Sequence, residues 1–398
     1  MSPGTQGTER ASLGAEVLRL LGLMSGSSAD GIDAALLECG SEGRPVFLGH
    51  RHHPYPASLQ GRIVAANALQ DLETAAQLER ELGLEHARFA AACLADWGRV
   101  DAIAVHGQTI RHRPRHEPAF TIQLSAAPDL AVATGLTVVH AFRRADVAAG
   151  GQGAPLVPPF QQALFAAERT RLLLNIGGIA NLTVLPGRED GGPLAAWDCG
   201  PGNALLDAAV VLLSGGQQRY DADGAWARQG EVRTEVLANW LSWDYFRRPP
   251  PKSTGREDFS AELVRSLWRD WPFRAADFLA TLTALTVESI ATSLESWAAP
   301  AEGLWVFGGG ADNVFLMALL ANRLPHLPLY KGTPEGGLPH LAVEAAAFAW
   351  LGDRCLRGVA LDLHEVTGQR QPIVLGTILP GSNWPELLAK LRCMGENP

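Results

Sequence analysis

The chain reads as an α/β protein of two lobes built on one plan. Three observations predict this. An order of strand hairpins followed by strand–helix units starts again near residue 170. Three glycine turns each follow a strand of large apolar residues. The composition, 47% hydrophobic and 19% charged over 398 residues, suits a globular chain with two cores of ordinary size. At this length a chain buries roughly three quarters of its unfolded surface.

The elements follow in order. VLRLLGLMS is a buried strand entering a glycine loop, and AALLEC returns from that loop as the second strand of a hairpin. RPVFLGHRHH is a candidate third strand. Residues 57–97 carry Ala, Leu, Glu and Gln at helical spacing. DAIAVHGQT is a short strand running into a polar turn, LTVVHAF a similar unit, and 161–169 a helix. The pattern then restarts. TRLLLNIGGIANLTVL is strand, glycine turn and strand, and AAWDCGPGNALLDAAVVLL is a strand end, a Gly/Pro turn and a helix. A long helix is expected over 275–298, GLWVFGGGADN is a strand opening into three glycines, and GLPHLAVEAAAFAWLG is the last good helix. The Arg/Pro-rich stretch 246–258 reads as an ordered surface loop.

Composition narrows the function classes. A formal net charge of -9 disfavours a nucleic-acid backbone as main partner. The five cysteines are scattered without a CxxC pair, which argues against a zinc ribbon or a disulfide framework and for free thiols in a reducing cytosol. The first residues lack a basic n-region and an apolar core, and no run of about 18 apolar residues occurs, so neither a signal peptide nor a membrane span is expected. The chain has no GxxxxGK[ST], no GxGxxG with a following acidic residue, and no GxSxG elbow.

The glycine turns GLMSGSSADGID, NIGGIANL and VFGGGADN share one design. Glycine permits close backbone approach, and exposed amides there bind phosphate oxygens. Any one of these is an ordinary turn; three of them, two opening the lobes and one late in the second, suit a nucleotide clamped in a cleft between lobes. In WDCGPGN, Asp198 either bonds its own turn or acts as a general base at a strand end. His112 and His116 are four apart, but Pro114 between them opposes a helical metal pair. Gln108 and Thr109, just past a strand end, are candidate hydrogen-bond donors to a polar ligand. Glu344, in a helix otherwise lined with Ala and Phe, either faces a cleft or is an exposed helical glutamate.

From about residue 18 to 380 these motifs resemble the anhydro-N-acetylmuramic acid kinase family. The resemblance rests on GLMSGSSADGID, HGQTIRH, FRRADVAAGGQGAPLVPPF, LNIGGIANLTVL, WDCGPGN, PKSTGREDF, VFGGGADN, LPHLAVEAAAFAWLG and VTGQRQPIVLG in that order. It implies an actin-like, two-lobed ATPase with ribonuclease-H-like lobes and a central nucleotide cleft. The expected division is a tail at 1–15, lobe I at 16–168 completed by 366–398, and lobe II at 169–365. The implied reaction uses ATP and water to open the 1,6-anhydro bridge of anhydro-N-acetylmuramic acid and phosphorylate O6, in cell-wall recycling in the bacterial cytoplasm. The resemblance thus implies a carbohydrate kinase with coupled anhydro-bond hydrolysis, acting with Mg2+, without nucleic acid or membrane, and as a homodimer.

By the same resemblance Ser25, Gly26, Ser27, Ser28, Ala29, Asp30, Gly31, Ile32 and Asp33 form the first phosphate loop. Gly177 and Gly178, with Asn181, form the second, and Gly308, Gly309 and Gly310 border the adenosine. Asp198 matches the catalytic aspartate. His106, Gln108, Thr109, Gly151, Gln152, Gly153, Ala154, Pro155 and Glu344 line the sugar side, and Asp30 and Asp33 orient metal-bound water. Cys199 and Ala29 stand where the family usually has Thr and Leu, and GGGADN replaces a form with Thr and Arg. Two alternatives remain open: a plain sugar kinase on a free hydroxyl, and a slow actin-like ATPase that acts by binding.

Overall fold

The computed structural model describes residues 17–26, 29–40, 44–66, 71–255, 258–270, 274–295, 297 and 301–395. The expected tail at 1–15 and the expected phosphate contacts Ser27 and Ser28 lie outside the described residues.

The elements run β1 (Val17–Ser25), β2 (Gly31–Gly40), β3 (Val46–Pro54), α1 (Ala57–Ala66), α2 (Leu72–Trp97), β4 (Ala102–Arg113), β5 (Phe120–Leu124), α3 (Ala127–Thr134), β6 (Thr137–His140), α4 (Phe142–Ala148) and α5 (Pro158–Phe165). They continue through β7 (Arg171–Ile176), β8 (Ile179–Leu185), β9 (Ala195–Pro201), α6 (Ala204–Leu213), α7 (Thr234–Leu241), α8 (Asp244–Arg247), α9 (Ala261–Asp270), α10 (Ala275–Leu294), β10 (Gly303–Phe307), α11 (Val314–Arg323) and β11 (Leu329–Lys331). The chain closes with α12 (Val343–Leu356), α13 (His364–Thr367), β12 (Thr377–Leu379) and α14 (Trp384–Gly395).

Two compact units result, Met1–Leu164 with Leu341–Pro398, and Phe165–His340. Each holds one sheet. In the first unit the strand order is β12-β6-β4-β1-β2-β3, with β5 paired to β4; in the second it is β11-β10-β7-β8-β9. The plan is the same in both. Three strands form an antiparallel meander, the first of them pairs in parallel with a later strand, and that strand pairs in parallel with the next. This is the ribonuclease-H-like topology expected of each lobe.

β1, inside the first unit's sheet, is buried on both faces, so it is a nearly unbroken apolar run rather than an alternating one. One core joins Leu21, Leu23, Ile32, Leu36, Phe89, Ile103 and Val138. The helix α12 packs against β1, β2 and β4. Its small residues allow this: a Cβ on Gly22 of β1 would strike Ala345 O and lie 2.9 Å from Ala349 Cβ, and one on Gly352 would lie 2.7 Å from Ala104 Cβ. At its far end Asp353, fully buried, pairs with Arg354 and Arg357, and those guanidiniums donate to the carbonyls of Gly40 and Cys39 on β2. The chain therefore re-enters the first unit at 341, earlier than the expected 366, and Glu344 belongs to the first unit.

In the second unit α10 is buried along most of its length among Leu172, Trp197, Trp240 and Leu304. Three local expectations change. HGQTIRHR continues β4 instead of turning, because β5 pairs with it through Arg113 and Phe120. α14 follows the helix expected to be last and is tied down by Lys390 Nζ, 2.8 Å from Asp101 Oδ2. The stretch from 246 begins as α8 and then buries Lys252.

Candidate functional site

The glycine turns leave strands β1, β7 and β10, whereas Asp198 lies within the edge strand β9 and His106, Gln108 and Thr109 within β4. In the first unit the first glycine turn leaves β1. Ala29 sits at φ 53°, in the left-handed region, and its N–H closes the turn on Gly26 O at 3.1 Å. Ile32 is fully buried in the core, so it shapes the strand rather than a ligand contact. Asp33 Oδ1 accepts from His50 Nε2 at 2.9 Å and from His52 Nδ1 at 3.1 Å, a cross-strand arrangement set by the β2–β3 register. Asp33 is thus held as part of the hairpin, while Asp30 is exposed at the loop's end.

Three expected sugar-side residues have partners within the protein. His106 is 4% exposed; its Nε2 accepts from Arg143 Nε at 2.6 Å, which leaves its proton on Nδ1 to donate to Gly107 O at 2.6 Å. Burial, then the neighbouring Arg143 cation, holds its pKa well below the usual histidine value, so the ring is neutral. Gln108 is 1% exposed and directs both ends of its amide into the protein. Thr109 Oγ1 accepts from Gln123.

The AGGQGAP loop is stapled rather than loose. Asp146, fully buried, accepts from Gly153 N at 2.6 Å and from Thr367 Oγ1 at 2.7 Å, and Arg143 Nη1 donates to Gly153 O at 2.8 Å. A Cβ on Gly151 would collide with the Asp146 carboxylate, so this glycine allows the close approach. Gln152 N donates to Thr367 O, and Ala154 and Pro155 are half-buried beyond it.

Glu344 lies in the first turn of α12 with its side chain open to solvent. Although the residue is exposed, its pKa is raised, chiefly by desolvation from the surrounding protein; Arg143 opposes the rise, and Asp33 and Asp30 add to it. The first turn, Arg143 and Glu344 therefore share one electrostatic neighbourhood.

In the second unit β7 and β10 lie in parallel, and the second and third glycine turns leave them side by side. Gly308, at φ 83°, packs where a Cβ would strike Asn175 and come within 2.8 Å of Ile176 O; Gly310 packs on Ile176. The carbonyls of Gly177 and Gly178 accept from Asn203 N at 2.8 Å and from Gly202 N at 2.9 Å, which fastens the GPGN turn to the second glycine turn.

Asp198 stands on β9 opposite Asn181. Asn181 Nδ2 donates to one carboxylate oxygen at 3.0 Å and Thr254 N to the other at 2.8 Å. The Asp198 main chain is held on both sides: its N–H donates to Lys252 O at 3.0 Å and its carbonyl accepts from Tyr245 Oη at 2.7 Å. Burial raises the carboxyl pKa, and the bonds from Asn181 and Thr254, with the Lys252 cation, oppose the rise. A carboxylate fixed in this way has the geometry of a base and is not bonded to its own turn. Its neighbour Cys199 points to the opposite face, as consecutive strand residues do, and is fully buried in the core with its thiol pushed up to about 12 by burial.

Sequence reasoning missed Arg143, Asp146, Tyr245, Lys252 and Thr254 as residues of these sites. Their stretches FRRAD and PKST were legible as motifs, but nothing in their spacing says which side chain turns inward. His112 and His116 are not brought together: one meets Thr121 Oγ1 and the other Pro118 O. Among the described residues no group of three His, Cys, Asp or Glu could hold a metal ion, and no helix is long and apolar enough to cross a membrane.

A family model described as anhydro-N-acetylmuramic acid kinase matches residues 18–381. An anhydro-N-acetylmuramic acid kinase of Acidithiobacillus ferrooxidans is 53% identical over 374 residues, covering 94% of this chain and 95% of its own. One of Cupriavidus metallidurans is 43% identical, covering 90% and 97%. Among solved structures, a ROK hexokinase from Thermus thermophilus aligns at 17% identity over 85% of this chain and 99% of its own, with TM-score 0.37.

Proposed function

The chain belongs to the anhydro-N-acetylmuramic acid kinase family, and we propose that Asp198 is the general base of its reaction. That reaction is ATP-dependent: the 1,6-anhydro bridge of anhydro-N-acetylmuramic acid is opened by water and O6 is phosphorylated, giving N-acetylmuramic acid 6-phosphate and ADP in peptidoglycan recycling. The observation that supports the assignment is the Asp198 carboxylate, desolvated enough to have a raised pKa yet oriented by Asn181 and Thr254.

The steps follow from that base. Asp198 takes a proton from water, and the water oxygen attacks C1. The C1–O6 bond breaks, and O6 attacks the γ-phosphorus while the bond from phosphorus to the ADP oxygen breaks. Because phosphorus receives O6, no carboxylic acid is needed to protonate it, unlike a usual inverting glycosidase pair. Glu344 is assigned to holding the attacking water, in keeping with its solvent-open carboxylate beside Arg143.

Backbone amides of the first and second glycine turns are assigned to the ATP phosphates, and Gly308–Gly310 to the adenosine side. Mg2+, when bound, supplies charge neutralisation on the phosphates. It is held by few protein carboxylates beside phosphate oxygens, so the absence of a three-residue cluster among the described residues is compatible with it. Asp30 fits as the oxygen donor to its water shell; Asp33, bonded by two histidines, fits better as a loop support. The family resemblance extends the reading to a homodimer in the bacterial cytoplasm.

Asp198→Asn tests the base. It loses about 10²–10⁴-fold in turnover, the usual size of a general-base contribution, while an ATP analogue still binds. Near wild-type turnover sinks the assignment. Solvent oxygen-18 at C1 of the product separates this reaction from a plain sugar kinase, in which the aspartate would deprotonate the sugar. ADP release only with the anhydro sugar present separates it from a slow ATPase.

A further inference from the structure

Tyr55, just past the end of β3, grips the first glycine turn at both ends. Its backbone N–H donates to Asp30 O at 2.9 Å. Its hydroxyl donates to Ser25 Oγ at 3.1 Å. Ser25 Oγ passes the direction on, donating to Gln108 Oε1 at 2.5 Å, and Gln108 Nε2 returns to the turn by donating to Gly26 O at 3.1 Å. The second Gln108 amide hydrogen meets Thr109 O at 3.4 Å.

The three side chains are 6%, 1% and 1% exposed, so water does not stand in for a missing member. Every O–H in the relay donates onward, and bonds aligned in this way polarise one another at low dielectric. The relay leaves none of its polar hydrogens for a ligand, so whatever it does for the reaction passes through the turn it holds. That turn needs holding: Ala29 occupies a left-handed conformation that residues other than glycine rarely adopt.

We propose that Tyr55 is a positioning residue for nucleotide binding, fixing Gly26 and Asp30 on the two sides of the first glycine turn through Ser25, Gln108 and its own backbone N–H. This rests on the reading of that turn as a phosphate loop. It moves Gln108 from the sugar side to the nucleotide side, and it makes the β3–α1 junction, far from the turn in sequence, part of the ATP site.

The test uses the full chain with Tyr55→Phe, which keeps the ring and the backbone bond and removes the hydroxyl alone. Calorimetric titration with a non-hydrolysable ATP analogue gives a Kd about five- to tenfold higher, the loss expected when one buried hydrogen bond stops preorganising a loop. KM for ATP rises with it, and KM for the anhydro sugar stays within about twofold. Ser25→Ala gives the same pattern, and the double variant is no weaker than Ser25→Ala alone, because both act in one relay. Unchanged nucleotide affinity in Tyr55→Phe, a loss on the sugar side instead, or additive losses in the double variant overturn the proposal. Gly26→Val, which blocks the turn directly, serves as the control. If it weakens the analogue and Tyr55→Phe does not, the relay alone is wrong; if it too leaves the analogue bound normally, the phosphate-loop reading has failed.

Discussion

Gly22→Ala perturbs the contact that seats α12 on β1, and its size follows from the geometry. The new Cβ would lie 2.8 Å from Ala349 N and 2.9 Å from Ala349 Cβ, where ordinary contact begins at 3.4 Å, and it would strike Ala345 O harder still. The obstacles are backbone and a methyl group, so no flexible side chain can move aside. The helix must retreat by at least about half an ångström, with an overpacking cost of about 1–3 kcal/mol. Glu344 precedes Ala345 in the same helical turn and moves with it. Catalytic groups tolerate displacements of about 0.5 Å, and a 1 Å misplacement can cost on the order of 10²-fold. The expected result is a Tm lower by several degrees with turnover reduced about 10- to 100-fold at saturating ATP and sugar. Thermal melting and a coupled ADP-release assay, both run at a temperature where the variant is fully folded, measure the two effects separately. A variant with lowered Tm and unchanged turnover would refute the argument that the seating of α12 positions Glu344 for the chemistry.

Cys199→Thr installs the residue usual in the family beside the base. Because the Cys199 side chain lies in the core, bonded to Ser293 and facing away from the Asp198 carboxylate, turnover stays within about twofold; a larger change in kcat would mean that this position reaches the water. Asp277 is buried at the start of α10, accepting from Arg274 Nη2 at 2.8 Å and Glu231 N at 3.0 Å, and these bonds hold its pKa down to about 2. A carboxyl lowered in the fold contributes stability that is present above its unfolded value, near 3.9, and lost as pH falls toward 2. Asp277→Asn therefore melts below wild type by a constant gap from about pH 5 to 8, and the gap narrows below about pH 4; a gap that widens on acidification contradicts the linkage.

Much of the site was legible because its signals are local. Gly177 and Gly178 follow LLLNI directly, and Gly308 follows LWVF, so strand, turn and amide-lined loop can be read from adjacent residues. Asp198 was visible as a carboxylate at a strand end, but its two readings stayed open because the sequence does not show what it bonds. Thr254, whose N–H settles the carboxylate's direction, lies 56 residues away in sequence. The partners of His106 and Gln108 were hidden for a related reason. A polar residue past an apolar strand looks available to a ligand, and only the packing of α4 and the first turn shows that each has already been given its partners.

The sequence by itself determined the fold class, the family and the chemical types present, because periodicity, glycine placement and motif order are properties of neighbouring residues. The tertiary structure decided which unit α12 joins, which face of β9 carries Asp198 and which carries Cys199, and which residues grip the turn after β1. Those outcomes depend on contacts between segments far apart in the chain. Close packing and the need to pair every buried polar group allow few arrangements, and the arrangement is reached only when the whole unit is assembled.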